Sequence, residues 1–475
     1  MESAFASGSD GVDLCSADVA QQVLFAQQLG WQAFSLGALE RMHDREARPT
    51  GAVKSAEAIA NEMMILLNID LRIAQVRPRV EKCVHRGGRD AALQRPGSVT
   101  RCPYPSCHRF SFAFLQAFCE EEDDNLTRNH KNRIMKTENL ESVARKLVAP
   151  GKGILAADES SGTIEKRLKS ISIPSTEENR RAYREVLFTT KGAGDFISGV
   201  ILFDETIRQK TRDGRTFVEA LEQQGIIPGI KVDKGAKAMA NFPGEKITEG
   251  LDGLREQLAE YRQLGARFAK WRAVIAIGEN IPTRTCIEAN AEALARYAAL
   301  CQEAGVVPIV EPEVLMDGAH TIERHFDVTE QTLRSVFDAL AEHRVVLEEM
   351  LLKPNMVLSG KECPQQASVE EVAEATVRCM KRVVPAAVPG LVFLSGGQSD
   401  QQATEHLNAM NRLEGLPWQL SFSFGRALQA PVLKAWKGEA ANVAAAQQAF
   451  HHRAWCNSKA RFGKYTEDME TAKAA

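Results

Sequence analysis

Eight short runs rich in β-branched, aliphatic and aromatic residues recur from Asn139 onwards, and a segment with helical spacing follows each run. Such an alternation predicts a parallel sheet covered by helices, and eight repeats predict an α/β fold of the (β/α)8, or TIM, barrel class. An open doubly wound sheet is the alternative, but no Gly-x-Gly-x-x-Gly turn follows the first run. The predicted strands are Ile154–Glu159, Phe196–Phe203, Ile226–Asp233, Phe268–Ile275, Val306–Glu313, Met350–Asn355, Leu391–Gly397 and Gln419–Arg426.

Helix-start signals lie between the runs. Three segments match the capping-box pattern, in which a Ser side chain and a Glu or Gln three residues later satisfy the first free backbone N–H groups of a helix. These segments are Ser175–Glu178, Ser368–Glu371 and Ser399–Gln402, and Pro174, Pro364 and Pro385 are predicted to lie in connections.

The first 134 residues do not show this alternation of strand-like and helix-like segments. Only 17–41 and 54–73 have loosely helical spacing; 71–110 is rich in arginine and is followed by the acidic run Glu120–Asp124. We therefore expect residues 1–134 to be a largely disordered or partly helical extension of unknown role, and residues 135–475 to form the barrel domain. Alternatively, translation begins at Met135, which directly precedes an amphipathic helix predicted over Glu138–Val148.

Two binding functions were weighed for this extension. The candidate zinc ligands do not have the spacing of a compact zinc finger, and a solvated stretch is a simpler interpretation of the arginine-rich tract than a nucleic-acid site. The zinc candidates would be Cys83, Cys102, Cys107, His108 and Cys119.

Charge and hydropathy exclude several classes of protein. The chain has 59 Lys and Arg against 62 Asp and Glu, so no global basic field points to nucleic acid or to an anionic membrane. No apolar run approaches the roughly 18–20 residues of a membrane-spanning helix, and the acidic start does not resemble a signal or transit peptide. We expect a cytoplasmic protein with reduced thiols at Cys286, Cys301, Cys363, Cys379 and Cys456.

Charged residues stand at the ends of the predicted strands, where a barrel of this class carries its active site. Three are the strand lysines Lys231, Lys270 and Lys353, and three are the acids Asp158, Glu311 and Glu313. A lysine crowded by other cations has a lowered pKa and can attack a carbonyl to form a Schiff base. Ordinary ion pairs at the barrel mouth are the alternative, although acids at neighbouring strand ends favour the catalytic interpretation.

Glycine-bearing strand ends indicate phosphate binding. Strands seven and eight end in Ser395-Gly396-Gly397 and Ser423-Phe424-Gly425-Arg426, where backbone N–H groups and an arginine fork can hold a phosphate. Lys231, with Arg167, Ser160 and Thr163, forms a second cationic group, so two separate anion sites predict a substrate with two phosphates. These patterns indicate an amine-nucleophile enzyme for a phosphorylated ketone or aldehyde, and leave cleavage, isomerisation and group transfer open.

Seven motifs in order resemble class I fructose-bisphosphate aldolases over residues 139–465. They are GKGILAADESSGTIEKRL, GIKVDKG, AKWR, PIVEPE, LLKPNMV, FLSGGQS and SFSFGRALQ. The resemblance implies reversible cleavage of fructose 1,6-bisphosphate to dihydroxyacetone phosphate and glyceraldehyde 3-phosphate in glycolysis and gluconeogenesis. It further implies no cofactor and no catalytic metal, because the protonated imine accepts the electrons, and a homotetramer.

The resemblance also implies residue roles. Lys353 is the Schiff-base lysine, Glu311 its acid/base, and Asp158 takes the 4-hydroxyl proton, while Glu313 and Lys270 position and polarise the intermediate. The residues implied to bind the 1-phosphate are Ser395, Gly396, Gly397, Ser423, Gly425 and Arg426. The 6-phosphate falls to Lys231, Ser160 and Thr163, with Arg167 and Arg272 lining the pocket.

One departure concerns the tail. Many eukaryotic members end in a tyrosine that assists proton exchange, whereas the last tyrosine here is Tyr465, so we expect another group or water at that step and a tail of the bacterial type.

Three other functions were weighed. A metal-dependent aldolase would need clustered strand-end histidines, but His320, His325 and His343 fall in or beside helical segments. A transaldolase-like enzyme explains two phosphate sites less well, and a catalytically silent scaffold would not need the full set of charged groups.

Overall fold

The parallel strands of the barrel are formed by residues buried on both faces. The computed structural model describes residues 140–471, and in this part of the chain eight strands close into a barrel. The strands are β1 Gly153–Ala156, β2 Ile197–Leu202, β3 Ile227–Lys231, β6 Phe268–Ile275, β7 Val307–Val314, β8 Leu351–Leu352, β9 Gly390–Phe393 and β10 Gln419–Phe424. Their order around the barrel is β1-β10-β9-β8-β7-β6-β3-β2. All eight residues of β7 are buried, as expected for a strand with barrel interior on one side and helices on the other. The (β/α)8 prediction is confirmed.

Helices cover the outside of the barrel. Their apolar faces pack on the strands in one large hydrophobic core. They are α1 Ser161–Lys169, α2 Glu177–Phe188, α3 Asp204–Ile207, α4 Phe217–Glu222, α5 Leu254–Gln263, α6 Arg284–Glu303, α7 Ile322–Glu342, α8 Val369–Val383, α9 Asp400–Met410, α10 Arg426–Trp436 and α11 Val443–Ala460. Short 3-10 turns lie at Ala193–Asp195, Leu347–Glu349, Ala440–Asn442 and Glu467–Glu470. None of the helices between residues 140 and 471 combines the length and apolar character that a bilayer-spanning segment requires.

Two of the three predicted capping boxes are confirmed, at Ser368 with Glu371 and at Ser399 with Gln402. The prediction at Ser175 is wrong: α2 begins one residue later, and the Thr176 hydroxyl accepts the N–H of Asn179. Thr176 has Asn179 instead of Glu or Gln three residues later, so it caps the helix with its hydroxyl alone, and the capping-box pattern does not detect it.

A two-stranded hairpin, which the strand pattern did not predict, is inserted between β3 and β6. Its strands, β4 Ala236–Ala238 and β5 Lys246–Thr248, pair antiparallel. The Thr248 hydroxyl donates to the carbonyl of Arg272 at 2.8 Å, which ties the hairpin to the carboxyl end of β6. The strands are too short to produce a readable alternation in the sequence.

Aromatic rings and a helix fill the amino-terminal end of the barrel. The helical stretch at 140–147 packs Leu147 against the inward-facing Phe268 of β6, in a second core cluster. Gly199 and Gly229 face the same ring, and a Cβ at Gly229 would lie only 2.3 Å from it. Glycine therefore makes room for the ring that closes the floor. The helix predicted from Glu138 is confirmed from residue 140 onwards.

Several predictions concern residues outside this range. The helical stretches 17–41 and 54–73, the basic tract 71–110, the acidic run, the proposed start at Met135 and the zinc candidates Cys83, Cys102, Cys107, His108 and Cys119 all lie outside the described residues. Within them, Cys286, Cys301, Cys363, Cys379 and Cys456 are free and buried, as expected of reduced thiols.

The barrel floor gives a stability prediction. Gly229→Ala should destabilise the protein by about 1–3 kcal/mol, because the new methyl group overpacks against the Phe268 ring. The matched control is Gly162→Ala in α1, where a Cβ meets nothing within 4 Å. That change should be stabilising by about 0.5–1 kcal/mol, since alanine loses less backbone entropy in a helix. Urea-unfolding midpoints measure both variants, and equal midpoints would contradict the proposed packing.

Candidate active site

A cavity of about 700 Å³ opens at the carboxyl ends of the barrel strands. All of the site residues predicted from the sequence line it, with the exception of Gly397. The lining thus contains Asp158, Ser160, Thr163, Arg167, Lys231, Lys270, Arg272, Glu311, Glu313, Lys353, Ser395, Gly396, Ser423, Gly425 and Arg426. The fold therefore gathers residues that are spread over nearly 270 positions of the chain in one concave site.

Glu311 holds two lysines at the centre of this cavity. One carboxylate oxygen lies 3.1 Å from Nζ of Lys353 and the other lies 3.3 Å from Nζ of Lys270. Asp158 meets the same Lys270 ammonium at 2.7 Å. The side chains of Glu311, Lys270 and Lys353 are at most 5% exposed, so the four groups form a nearly dry ion cluster.

The cluster sets the charge of its members. Burial alone would raise the pKa of Asp158, but the ammonium groups of Lys270 and Lys353 outweigh burial and hold that pKa well below its ordinary value. The same opposition, burial against Lys270 and Lys353, lowers the pKa of Glu311. Both acids are carboxylates at neutral pH and can accept protons.

Lys270 departs from the expectation of a lowered lysine pKa. Burial favours its neutral amine, but the carboxylates of Asp158 and Glu311 prevail and raise its pKa above the ordinary lysine value. The two facing carboxylates, at 2.7 and 3.3 Å from its Nζ, therefore favour the ammonium form of Lys270.

Glu313 points to the same side of β7 as Glu311 but engages a different partner. Its carboxylate accepts a hydrogen bond from Nε of Arg272 on β6. Burial lowers the pKa of Arg272, whereas the Glu313 charge raises it, with a net increase. Both residues of this pair line the cavity together with the central cluster.

One end of the cavity has the features of an anion site. Gly425 is the N-cap of α10, and Arg426 is the first residue of that helix, whose free N–H groups face the cavity mouth. Gly396 and Gly397 have φ values of 58° and 96°, a left-handed conformation that favours glycine. The Ser423 hydroxyl, on a residue only 1% exposed, has no hydrogen-bond partner in the described part of the chain. A buried hydroxyl without a partner is a place for a ligand oxygen.

Gly397 is outside the lining, but a Cβ there would lie 3.3 Å from a terminal nitrogen of Arg426, so its backbone borders the same arginine.

A second group of polar residues lies on the other strands. The Ser160 and Thr163 hydroxyls are 3.2 Å apart at the start of α1, whose first turn contains no acid. Lys231 is paired with Asp233 at 2.7 Å. The ammonium is thus held at a fixed point by a neighbouring carboxylate before any ligand arrives.

Two acids, Glu159 and Asp233, were not assigned a role from the sequence. Glu159 is 7% exposed and binds Arg167 and Arg184, with Nη2 of Arg184 at 2.5 Å. Gln429 donates to it at 2.7 Å from the far end of the chain. In the sequence, only their positions point to the site: Glu159 directly follows Asp158, and Asp233 lies two residues after the strand lysine Lys231. The arginine partners could not be read from spacing.

Tyr465 lies outside the cavity. It is 3% exposed and its hydroxyl donates to Glu470 at 2.6 Å. This tyrosine therefore packs within the last described residues; which group exchanges the proton stays a prediction. His325 is likewise structural: it accepts the N–H of Leu358 at 2.8 Å, and burial lowers its pKa to about 4.

Comparisons with known proteins agree with this geometry. Residues 139–475 match the family model for glycolytic fructose-bisphosphate aldolase class-I. A probable fructose-bisphosphate aldolase class 1 of Xanthomonas axonopodis pv. citri is 63% identical over 332 residues, which are 70% of this chain and 99% of the relative. The cytosolic fructose-bisphosphate aldolase 4 of Arabidopsis thaliana is 53% identical over 343 residues, covering 72% and 87% of the two chains.

A solved structure is also similar. It is the fructose-bisphosphate aldolase of Plasmodium falciparum in complex with TRAP and a small-molecule inhibitor. It has a TM-score of 0.69 and 52% identity, and the match covers 70% of this chain and 96% of that chain.

The buried Glu159 pairs give a second stability prediction. Glu159→Gln should destabilise the protein by about 3–5 kcal/mol, because it leaves the Arg184 charge buried without a counter-ion. The matched control is Glu178→Gln. It breaks the ion pair with Arg181, in which the Glu178 side chain is 65% exposed. Since solvent screens that pair, the control should lose only about 0.3–0.5 kcal/mol. Urea unfolding of both variants measures the difference, and a wild-type midpoint for Glu159→Gln would refute the role.

Proposed function

The chain belongs to the class-I fructose-bisphosphate aldolase family, and on that basis we propose which of its residues carry out the reaction. The protein is a lyase. It reversibly cleaves fructose 1,6-bisphosphate to dihydroxyacetone phosphate and glyceraldehyde 3-phosphate through a lysine Schiff base, in glycolysis and gluconeogenesis.

Lys353 is the proposed nucleophile. Its Nζ lies 3.1 Å from a Glu311 carboxylate oxygen, close enough for Glu311 to take the ammonium proton and free the amine. The amine attacks C2 of the ketose. Glu311 then returns a proton to the C2 hydroxyl, which leaves as water and gives the protonated imine. The single observation that carries this assignment is the bridging of Lys353 and Lys270 by one carboxylate inside the cavity.

Asp158 and Lys270 serve the bond-breaking step. We assign to Asp158 the proton of the substrate 4-hydroxyl: as that proton leaves, the C3–C4 bond breaks, C4 becomes the aldehyde and the electron pair moves into the imine. Asp158 is ionised and therefore ready to accept the proton, and Lys270 at 2.7 Å keeps it in place. Lys270 remains charged throughout, so it stabilises negative charge that develops beside it. Glu313 completes the positioning by fixing Arg272.

We assign the two substrate phosphates to two separate groups of cavity residues. The Ser423 hydroxyl without a partner and the start of α10 support the 1-phosphate assignment. The residues are Ser395, Gly396, Gly397, Ser423, Gly425 and Arg426. For the 6-phosphate we assign Lys231, Ser160 and Thr163, supported by the absence of acids from the first turn of α1, with Arg167 and Arg272 lining the pocket between the ends.

Three properties of the whole chain are also proposed. Cytoplasmic localisation is supported by the Arabidopsis relatives that carry the name cytosolic. A homotetramer is proposed from the family resemblance alone. The division of the chain into an extension at 1–134 and a catalytic domain at 135–475 is supported by the family match, which begins at residue 139.

Trapping the imine tests the nucleophile. Borohydride reduction in the presence of dihydroxyacetone phosphate should add one substrate to Lys353, and Lys353→Met should abolish that addition, because methionine fills the space without an amine. Peptide mass spectrometry locates the adduct. Lys234→Met is the matched control, since Lys234 also lines the cavity and its loss should leave the trapping intact. An adduct on another lysine would refute the assignment.

Truncation tests the proposed boundary. Removal of residues 1–134 should leave the rate of fructose 1,6-bisphosphate cleavage within about twofold, because the barrel domain supplies all of the proposed catalytic and phosphate-binding residues. A coupled spectrophotometric assay measures kcat and KM of both proteins. Loss of folding or of activity on truncation would show that the boundary is wrong.

A further inference from the structure

A cluster of three metal-ligating side chains lies outside the catalytic cavity. His452 and Cys456 are one turn apart on α11, and Glu470 belongs to the 3-10 turn that follows this helix. One ligand atom from each of the three lies within 4.8 Å of the others. It is the only such group of His, Cys, Asp and Glu between residues 140 and 471. We propose that this cluster is a zinc site.

The spacing of the donor atoms suits the metal. Sγ of Cys456 is 3.7 Å from Nε2 of His452. Tetrahedral zinc, with bonds of about 2.3 Å to sulfur and about 2.0 Å to nitrogen, holds these two atoms about 3.5 Å apart. The Cys456 and His452 side chains thus need to move by only a few tenths of an ångström, because the i, i+4 relation on a helix already puts them on one face. The Glu470 oxygen, within 4.8 Å of the other two ligand atoms, closes the remaining distance.

Glu470 can supply the third ligand without losing its present partners. One of its oxygens accepts from the Tyr465 hydroxyl and from Nη1 of Arg453, each at 2.6 Å, and the other accepts from the same Nη1 at 2.5 Å. Since a carboxylate oxygen has two lone pairs, the second oxygen keeps one free. The tyrosine and arginine then act as the outer hydrogen bonds that ligating carboxylates ordinarily have.

Charge favours a divalent cation that displaces one proton. Arg453 is 3% exposed and faces both Glu470 and Asp400, so the three groups carry one net negative charge. Zinc adds two positive charges, and the Cys456 thiol releases its proton to solvent as the sulfur–zinc bond forms. The net charge of the cluster becomes zero.

The site has an entry path and a free coordination position. His452 and Glu470 line an open cavity of about 740 Å³ between α11 and the residues that follow α2, while Cys456 is buried beside His452 and outside the lining. With three protein ligands, the fourth position faces this cavity and takes water. Because Glu470 stands in the turn after α11, a bound zinc ion ties the end of the chain to the helix that supports it.

Cobalt titration of the full chain under reducing conditions tests the site. Co²⁺ should give a thiolate-to-cobalt band in the near ultraviolet, and Cys456→Ser should remove it. His452→Gln, at a partly exposed position that tolerates a polar residue, should weaken binding by about tenfold or more. His451→Gln and Cys363→Ser are the matched controls, since one lies in the same cavity and the other is a buried thiol. Neither control should change the band.

A second readout concerns the tail itself. Zn²⁺ should slow hydrogen exchange of residues 465–470 in the wild-type protein and not in His452→Gln. No cobalt band, or a band of full amplitude in Cys456→Ser because another cysteine binds the metal, would overturn the proposal. The site is separate from the catalytic cavity, so aldol cleavage should persist in a strong chelator whichever result is obtained. A failure of the Schiff-base assignment would appear only in the borohydride experiment.

Discussion

The active site depends on one buried carboxylate that has two ammonium partners. Glu311 lies between Lys270 and Lys353, and Asp158 balances the charge of Lys270 from the other side. Two acids and two bases so arranged can be desolvated together, because each charge finds an opposite charge within reach. The arrangement also separates the proposed roles of the lysines, since Lys270 has two carboxylates and Lys353 has one. Lys353 therefore remains available for proton exchange with Glu311.

The barrel architecture brings this cluster and its flanking sites together. Parallel strands deliver their last residues to one end, so Asp158, Lys270, Glu311 and Lys353 come from four different strands or their ends. The helices that follow contribute their free N–H groups at the same end, which is where the proposed phosphate sites lie. The opposite end is closed by Phe268 and by the helical stretch at 140–147, so the cavity opens in one direction within the described residues.

Much of this could be predicted from the sequence, and the exceptions have physical reasons. All eight strands were located, and β6 has the predicted bounds, because a strand between helices is apolar over most of its length and its charged residues, Lys270 and Arg272, still lie within a continuous run. β8 is only Leu351–Leu352, since the chain leaves the sheet as it delivers Lys353. The β4–β5 hairpin and the arginine partners of Glu159 were missed, because short strands carry little pattern and ion pairs between distant elements carry none. The raised pKa of Lys270 required knowledge of which charges lie nearest.

Closure of the barrel has a consequence for biosynthesis. β1 pairs with β10, with Ile154 opposite Ser423. The first strand of the barrel therefore pairs with the strand that is synthesised last. A nascent chain that has reached β9 presents two unpaired sheet edges and lacks Ser423 and Arg426. Such edges are prone to pair with other chains. Until residues 419–426 have been synthesised, β1 therefore lacks its second neighbour and the proposed 1-phosphate site is incomplete.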